Sequence, residues 1–303
     1  MIFELQNSIN QKVELPEKKG VELYIKREDK IHPFVSGNKF RKLKYNFIEL
    51  EKLGFKTVLT FGGAFSNHIA AVASAGQIKG IKTIGVIRGE ELSNKVETNA
   101  TLRFAKQCGM TFKFVSREVY RDKSSEVFIK SLKEAFGEFY LIPEGGTNTL
   151  AIKGCEEILT KSDAHFDYIC CAVGTGGTIS GLINCSKPGQ QLLGFPALKG
   201  DFLRQDISKF VSKTNWKLIH DYHFGGYAKV SKPLIDFVNK FKGYYNIPLD
   251  PVYTGKMMFG ILDLIEQGYF KKGTKILAIH TGGLQGISGM NTRLKNKKLP
   301  IIK

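Results

Sequence analysis

Four times in this chain an apolar run breaks into a glycine-rich turn: "FGGAFSNH" (61–68), "EGGTNT" (144–149), "GTGGT" (174–178) and "HTGGLQG" (280–286). The runs that lead into them, such as "TVLTFGG" (57–63), "DYICCAV" and "KILAIHT", are short and almost wholly apolar. Such runs are strands buried on both faces, the kind found in parallel sheets covered by helices. Helical spacing alternates with them. "SNHIAAVASAGQIKG", "NATLRFAKQCG" (99–109) and "SSEVFIKSLKEAFG" each close on glycine, and further strands are predicted at "TIGVIRG" (83–89) and "TFKFVSR" (111–117). Two later helices are read in "SKPLIDFVNKFKGYYN" and "GKMMFGILDLIEQG". The alternation predicts an α/β protein of open, mostly parallel sheets flanked by helices. The 303 residues suffice for two cores. Residues 46–149 are expected to form a small domain, and 1–45 plus 150–303 a large one.

Open α/β sheets gather ligands beyond the carboxyl ends of their strands. Four glycine turns therefore predict a crevice lined by backbone amides and hydroxyls. The strongest signal is Gly174-Thr175-Gly176-Gly177-Thr178, placed between a strand and a helix. Glycines let the backbone approach an anion closely, and a helix start offers free N–H groups and the positive end of its dipole. The loop is not a Walker motif, since no Lys-Ser/Thr pair follows it, and it lacks dinucleotide-fingerprint spacing. It predicts a phosphate cradle.

The composition narrows the rest. A formal charge of +17 can mark a nucleic-acid binder, but here the excess is lysine spread along the whole chain, without arginine clusters. Five cysteines, an odd number without framework or zinc-site spacing, are expected to be reduced and structural, and no metal is expected. No stretch of eighteen apolar residues occurs, and "MIFELQNSIN" has no signal-peptide pattern. A cytoplasmic protein with no membrane partner is the expectation.

Among the lysines, Lys39 stands apart. It follows Ser36-Gly37-Asn38, small residues that leave room for a ligand, at the mouth of a predicted helix. Lys42 and Lys44 fall in the helix body, where their amines are expected to end in water. A lysine beside a phosphate cradle points to a phosphate-bearing cofactor held as a Schiff base, which is pyridoxal 5'-phosphate (PLP).

The motifs "YIKRED" (24–29), "SGNKFRKLKY", "GGAFSNH", "IPEGGTN", "GTGGT", "LDPVYTGK" (249–256) and "HTGG" closely resemble, in order and over nearly the whole chain, those of the PLP-dependent D-cysteine desulfhydrase and 1-aminocyclopropane-1-carboxylate (ACC) deaminase family. The resemblance implies the two-domain, tryptophan synthase β-like fold called fold type II, with PLP bound by the large domain, and a homodimer. It also implies roles for individual residues. Lys39 matches the Schiff-base lysine that later moves the α-proton. Asn67 matches the asparagine on the cofactor's ring hydroxyl, and Ser66 and His68 flank it in the turn that receives the substrate carboxylate. Gly174, Thr175, Gly176, Gly177 and Thr178 match the phosphate loop. Tyr227 and Tyr253 match tyrosines placed near the substrate amino acid.

Two positions separate the branches of that family. The deaminase pattern has glutamate after the "DPVY" tyrosine and leucine after the histidine of the last glycine turn, whereas this chain has Thr254 and Thr281, as in the desulfhydrase-like pattern. A carboxylate beside the pyridine nitrogen would keep it protonated and make the ring a stronger electron sink. A threonine can only offer a hydrogen bond. Cyclopropane opening needs the stronger sink, and loss of a thiolate does not. The expectation is a lyase that converts D-cysteine to pyruvate, sulfide and ammonia. ACC deamination is the alternative, a PLP-holding but idle protein is a second, and a non-catalytic nucleic-acid binder a distant third.

Overall fold

The computed structural model describes residues 3–15 and 20–303. Its strands form two sheets. The smaller contains β3 (Thr57–Gly63), β4 (Lys82–Arg88), β5 (Thr111–Val115) and β6 (Tyr140–Ile142), all parallel, in the order β5-β4-β3-β6. The larger contains β1 (Asn10–Val13), β2 (Glu22–Lys26), β7 (Tyr168–Val173), β8 (Gln191–Pro196), β9 (Trp216–Leu218) and β10 (Lys275–Ile279), in the order β1-β2-β10-β7-β8-β9. Only β1 runs antiparallel to its neighbour, pairing Asn10 with Lys26 at the edge of the sheet. Neither β1 nor β9 is announced by an apolar run, because each lies at a sheet edge and is only partly covered.

The central strands are apolar on both faces because helices cover both. Val58, Leu59, Val86 and Ile87 in the small sheet, and Ile276, Leu277, Ala278 and Ile279 in the large one, are completely buried. Each such aliphatic side chain contributes about 1.5–3 kcal/mol of burial. The chain also forms α3 (Ala100–Gln107), α4 (Arg117–Arg121), α5 (Glu126–Phe136) and α8 (Phe202–Ser208), and the covering helices pack closely. In α2 (Asn67–Lys79), a Cβ at Gly76 would lie 2.2 Å from the Thr83 side chain on β4. The helix α1 (Asn38–Lys52) packs against both α2 and α6 (Thr149–Cys155), while α7 (Gly177–Cys185) packs on α6 and lies over β7 and β8. Among the described residues no helix is long and apolar enough to cross a membrane.

This topology positions the site. The four glycine turns leave the carboxyl ends of β3, β6, β7 and β10. β3 and β6 are neighbours in one sheet, and β7 and β10 are neighbours in the other. Two adjacent turns from each sheet therefore meet around the start of α1.

Candidate active site

The segment before Lys39 is fixed by the turn that follows β10. Gly37 has φ 58, and a Cβ there would lie 2.2 Å from the carbonyl oxygen of Thr281, so only glycine fits. Asn38 N–H donates to that same carbonyl at 3.4 Å. The Asn38 side chain then links two parts of the site. Its Nδ2 donates to Thr178 Oγ1 at 2.8 Å, and its Oδ1 accepts from Lys39 Nζ at 3.1 Å. Burial, reinforced by the Lys42 ammonium, brings the Lys39 amine down to about 7.

Lys42 does not end in water. Its side chain is 2% exposed, and its Nζ donates to Gly145 O at 2.8 Å, Thr147 Oγ1 at 3.0 Å and Thr175 Oγ1 at 3.4 Å. One helical turn after Lys39, it faces inward onto the turns after β6 and β7. Lys44 is half-buried and pairs with Glu157 at 2.7 Å. The expectation of solvated amines therefore fails for Lys42, and for Lys44 it is replaced by an ion pair.

At the start of α2, Ser66 is the N-cap, its Oγ accepting from His68 N and Ile69 N at 3.2 and 3.4 Å. Asn67 is held across the cleft by the turn after β10. Gln285 Nε2 donates to its Oδ1 at 2.5 Å, and its Nδ2 lies 2.8 Å from where a Cβ of Gly283 would be. His68 points the other way, onto Thr60 of the small sheet. Thr60 Oγ1 donates to Ile142 O, so the 2.8 Å contact with His68 must be donated by Nε2. Burial, then the Lys39 and Lys42 ammoniums, push His68 well below its ordinary range. Its Nδ1 is a buried acceptor without a partner among the described residues, so its imidazole has no N–H left for a substrate carboxylate.

The two threonines differ in their surroundings. Thr254, completely buried at the start of α10 (Thr254–Glu266), donates through Oγ1 to Asp250 Oδ1 at 2.8 Å and accepts from Asp250 N at 2.9 Å. Among the described residues the other donors to the Asp250 carboxylate are the N–H groups of Val252, Tyr253 and Thr254. Thr281 has no hydroxyl partner among the described residues. Tyr253 lies against Gly174, where a Cβ would come 3.1 Å from its ring, and meets Tyr227 edge-on with ring centroids 6.2 Å apart. Gly176, with φ 81, and Gly177 open α7 beside Thr175, whose Oγ1 is 2.6 Å from Thr147 Oγ1.

A model of the family described as "Pyridoxal-phosphate dependent enzyme" matches residues 11–282. The chain belongs to that family. A Thermotoga maritima protein named putative 1-aminocyclopropane-1-carboxylate deaminase is 33% identical, with 92% of this chain and 94% of that protein covered. The bifunctional D-cysteine desulfhydrase/1-aminocyclopropane-1-carboxylate deaminase of Arabidopsis thaliana is 32% identical over 88% of this chain and 74% of its own length. A solved structure described as an ACC deaminase homologue superposes with a TM-score of 0.82 at 28% identity, covering 96% of this chain and 93% of that one. The fold is that of the fold type II PLP-dependent enzymes.

The residues present suit PLP. A buried ammonium whose partners are all neutral oxygens lacks a counter-anion, and Lys42 is in that position beside the glycine loop. A Cβ on Gly177 would lie 3.2 Å from Lys42 Nζ and 2.8 Å from Thr147 Oγ1, so the glycine keeps this space open. Lys42, Asn38 and Thr147 are site residues that the motifs alone did not single out. No local signal marks Lys42 in the sequence, because its partners lie 103 to 133 residues away.

Proposed function

We propose that this PLP-dependent enzyme is a lyase that carries out α,β-elimination on a D-amino acid with a good β-leaving group, D-cysteine first. The reaction takes D-cysteine and water to pyruvate, hydrogen sulfide and ammonia. The observation that carries this reading is the state of the branch-point residues. Thr254 has its hydroxyl committed to Asp250, and that carboxylate is already engaged by four donors. Asp29, whose carboxylate lies 3.6 Å from His280 beside Thr281, is paired with Arg27. The free Thr281 hydroxyl is left as the donor for a neutral ring nitrogen, which suits departure of a thiolate rather than opening of a carbon ring.

When bound, PLP supplies the electron sink for bond breaking at the substrate α-carbon. Lys39 anchors it, with Asn67 on the ring hydroxyl and Gly174, Thr175, Gly176, Gly177, Thr178 and Lys42 around the phosphate. An amine near 7 is about half neutral at neutral pH, so Lys39 is equipped to take the α-proton. The Ser66 hydroxyl proton and the Asn67 N–H offer donors to the substrate carboxylate, whereas the N–H groups of His68 and Ile69 are already given to Ser66 Oγ. Tyr253 is held well above its ordinary value by burial, then by Tyr227 and Asp250, and burial also raises Tyr227. Both phenols keep their protons and act as hydrogen-bond donors. The two sheets correspond in this reading to domains of 46–149 and 1–45 plus 150–303, with the reaction between them.

ACC deamination is the second reading, favoured by the names of the relatives. The test is 2-oxo acid release by the PLP-loaded protein from D-cysteine and from ACC, with Lys39→Ala as the blank. Pyruvate and sulfide from D-cysteine without 2-oxobutyrate from ACC is the expected result, with Lys39→Ala slower by about 10³-fold. ACC turnover without sulfide release would overturn the elimination reading. A yellow protein silent on both would make it an idle PLP holder for these substrates.

A further inference from the structure

Lys256 is a buried lysine that the chemistry above does not use. It sits on the first turn of α10, 2% exposed, and its Nζ donates to His223 O and Gly226 O, each at 2.8 Å. Both partners are neutral carbonyls, and both belong to the loop between β9 and α9 (Lys232–Tyr245). A lysine is seldom buried without an anion, because desolvation of the ammonium is poorly compensated. Burial indeed brings this amine down to about 8, with Asp250 opposing the shift.

The gripped loop is strained. Phe224, Gly225, Gly226 and Ala228 have φ of 52, 86, 111 and 52, so two non-glycine residues adopt left-handed backbone within five positions. Such a conformation persists where surrounding contacts over-determine it. Two successive turns supply part of that constraint, Gly226 N–H donating to His223 O and Lys229 N–H to Gly226 O. These are the same two carbonyls that Lys256 holds. Arg293 adds a bond to Ala228 O at 3.1 Å.

Tyr227 lies at the centre of this loop. Its ring meets Tyr253, which is three residues before Lys256 and immediately precedes α10. One end of α10 therefore supplies both the aromatic partner of Tyr227 and the cation that holds its backbone. We propose that Lys256 is a positioning residue for the reaction: its ammonium clamps the 223–229 loop so that Tyr227 is presented against Tyr253 at the substrate position. Lys256 does not touch substrate. The inference rests on the reading that Tyr227 acts on the substrate.

The test is a double-mutant cycle on holoenzyme with whichever amino acid is turned over, using Lys256→Met, Tyr227→Phe and the pair. Methionine keeps the length and apolar bulk of the side chain and removes the donors. Lys256→Met is expected to lower kcat/KM about ten-fold in the wild-type background and less than two-fold in the Tyr227→Phe background. Hydrogen exchange of peptides spanning 219–231 is expected to quicken while the rest of the protein keeps its protection. Independent effects that multiply, or an unchanged loop exchange rate in Lys256→Met, would overturn the proposal. Unaltered kinetics in Tyr227→Phe would instead remove the reading of Tyr227 beneath it. If Lys256→Met does not yield folded holoenzyme, Lys256→Gln, which retains an amide donor, is put through the same cycle and exchange measurement with the same deciding outcomes.

Discussion

Three lysines within six residues of one helix have three different surroundings, and those surroundings decide what each can do. Lys44 is tied to Glu157 at the surface, Lys42 is buried on neutral oxygens, and Lys39 is bonded to Asn38 with its amine brought down to about 7. A lysine with its ordinary pKa near 10.5 is almost entirely protonated at neutral pH and a poor nucleophile. Lowering the pKa enlarges the neutral fraction, so the rate at which apoenzyme takes up PLP should rise with pH and level off above about 7. Stopped-flow absorbance of PLP uptake at a series of pH values measures this, and a rate still climbing steeply towards pH 10 would contradict it. The small residues before Lys39 made it legible from sequence. Nothing local distinguished Lys42 from Lys44, since burial by turns more than a hundred residues away is a property of the fold and not of the helix.

At the scale of elements, the strands and their glycine turns were readable because burial on both faces enforces an apolar run and close approach enforces glycine. Edge strands escape that logic, which is why β1 and β9 were not anticipated, and β2 was missed as well because its three apolar residues lie between Glu22 and Lys26. Gly37 shows how closely the elements are fitted together. It has a positive φ and also faces the Thr281 carbonyl, whereas Gly54, with φ 77, has nothing within 4 Å of the place a Cβ would take. Gly54→Ala should therefore cost only the backbone strain, about 1 kcal/mol. Gly37→Ala must also displace the turn after β10 and should cost about 3 kcal/mol, with weakened PLP absorbance. Denaturant midpoints of the two variants compare these costs. Equal losses would mean that the packing of Gly37 on Thr281 contributes nothing.

At the scale of the whole molecule, the site is where two sheets are joined, and Lys42 participates in the joining. From α1 it reaches the turn after β6, which belongs to the small sheet, and the turn after β7, which belongs to the large one. The sequence announced each turn separately, but not that one ammonium connects them. An anion bound beside that ammonium would relieve its uncompensated burial and strengthen the connection between the sheets. A ligand that binds only the folded state stabilises it by RT ln(1 + [L]/Kd), about 2.7 kcal/mol at a hundred times Kd. For a chain of this size PLP should then raise the Tm by roughly 4 °C. In Lys42→Met the same PLP concentration should give less than half that shift, because the phosphate loses its buried counter-charge while Lys39 remains able to react. Thermal unfolding of apo and PLP-loaded forms of both proteins measures the difference. A wild-type shift in Lys42→Met would show that the glycine loop holds the phosphate without the lysine, and that the join between the sheets does not depend on it.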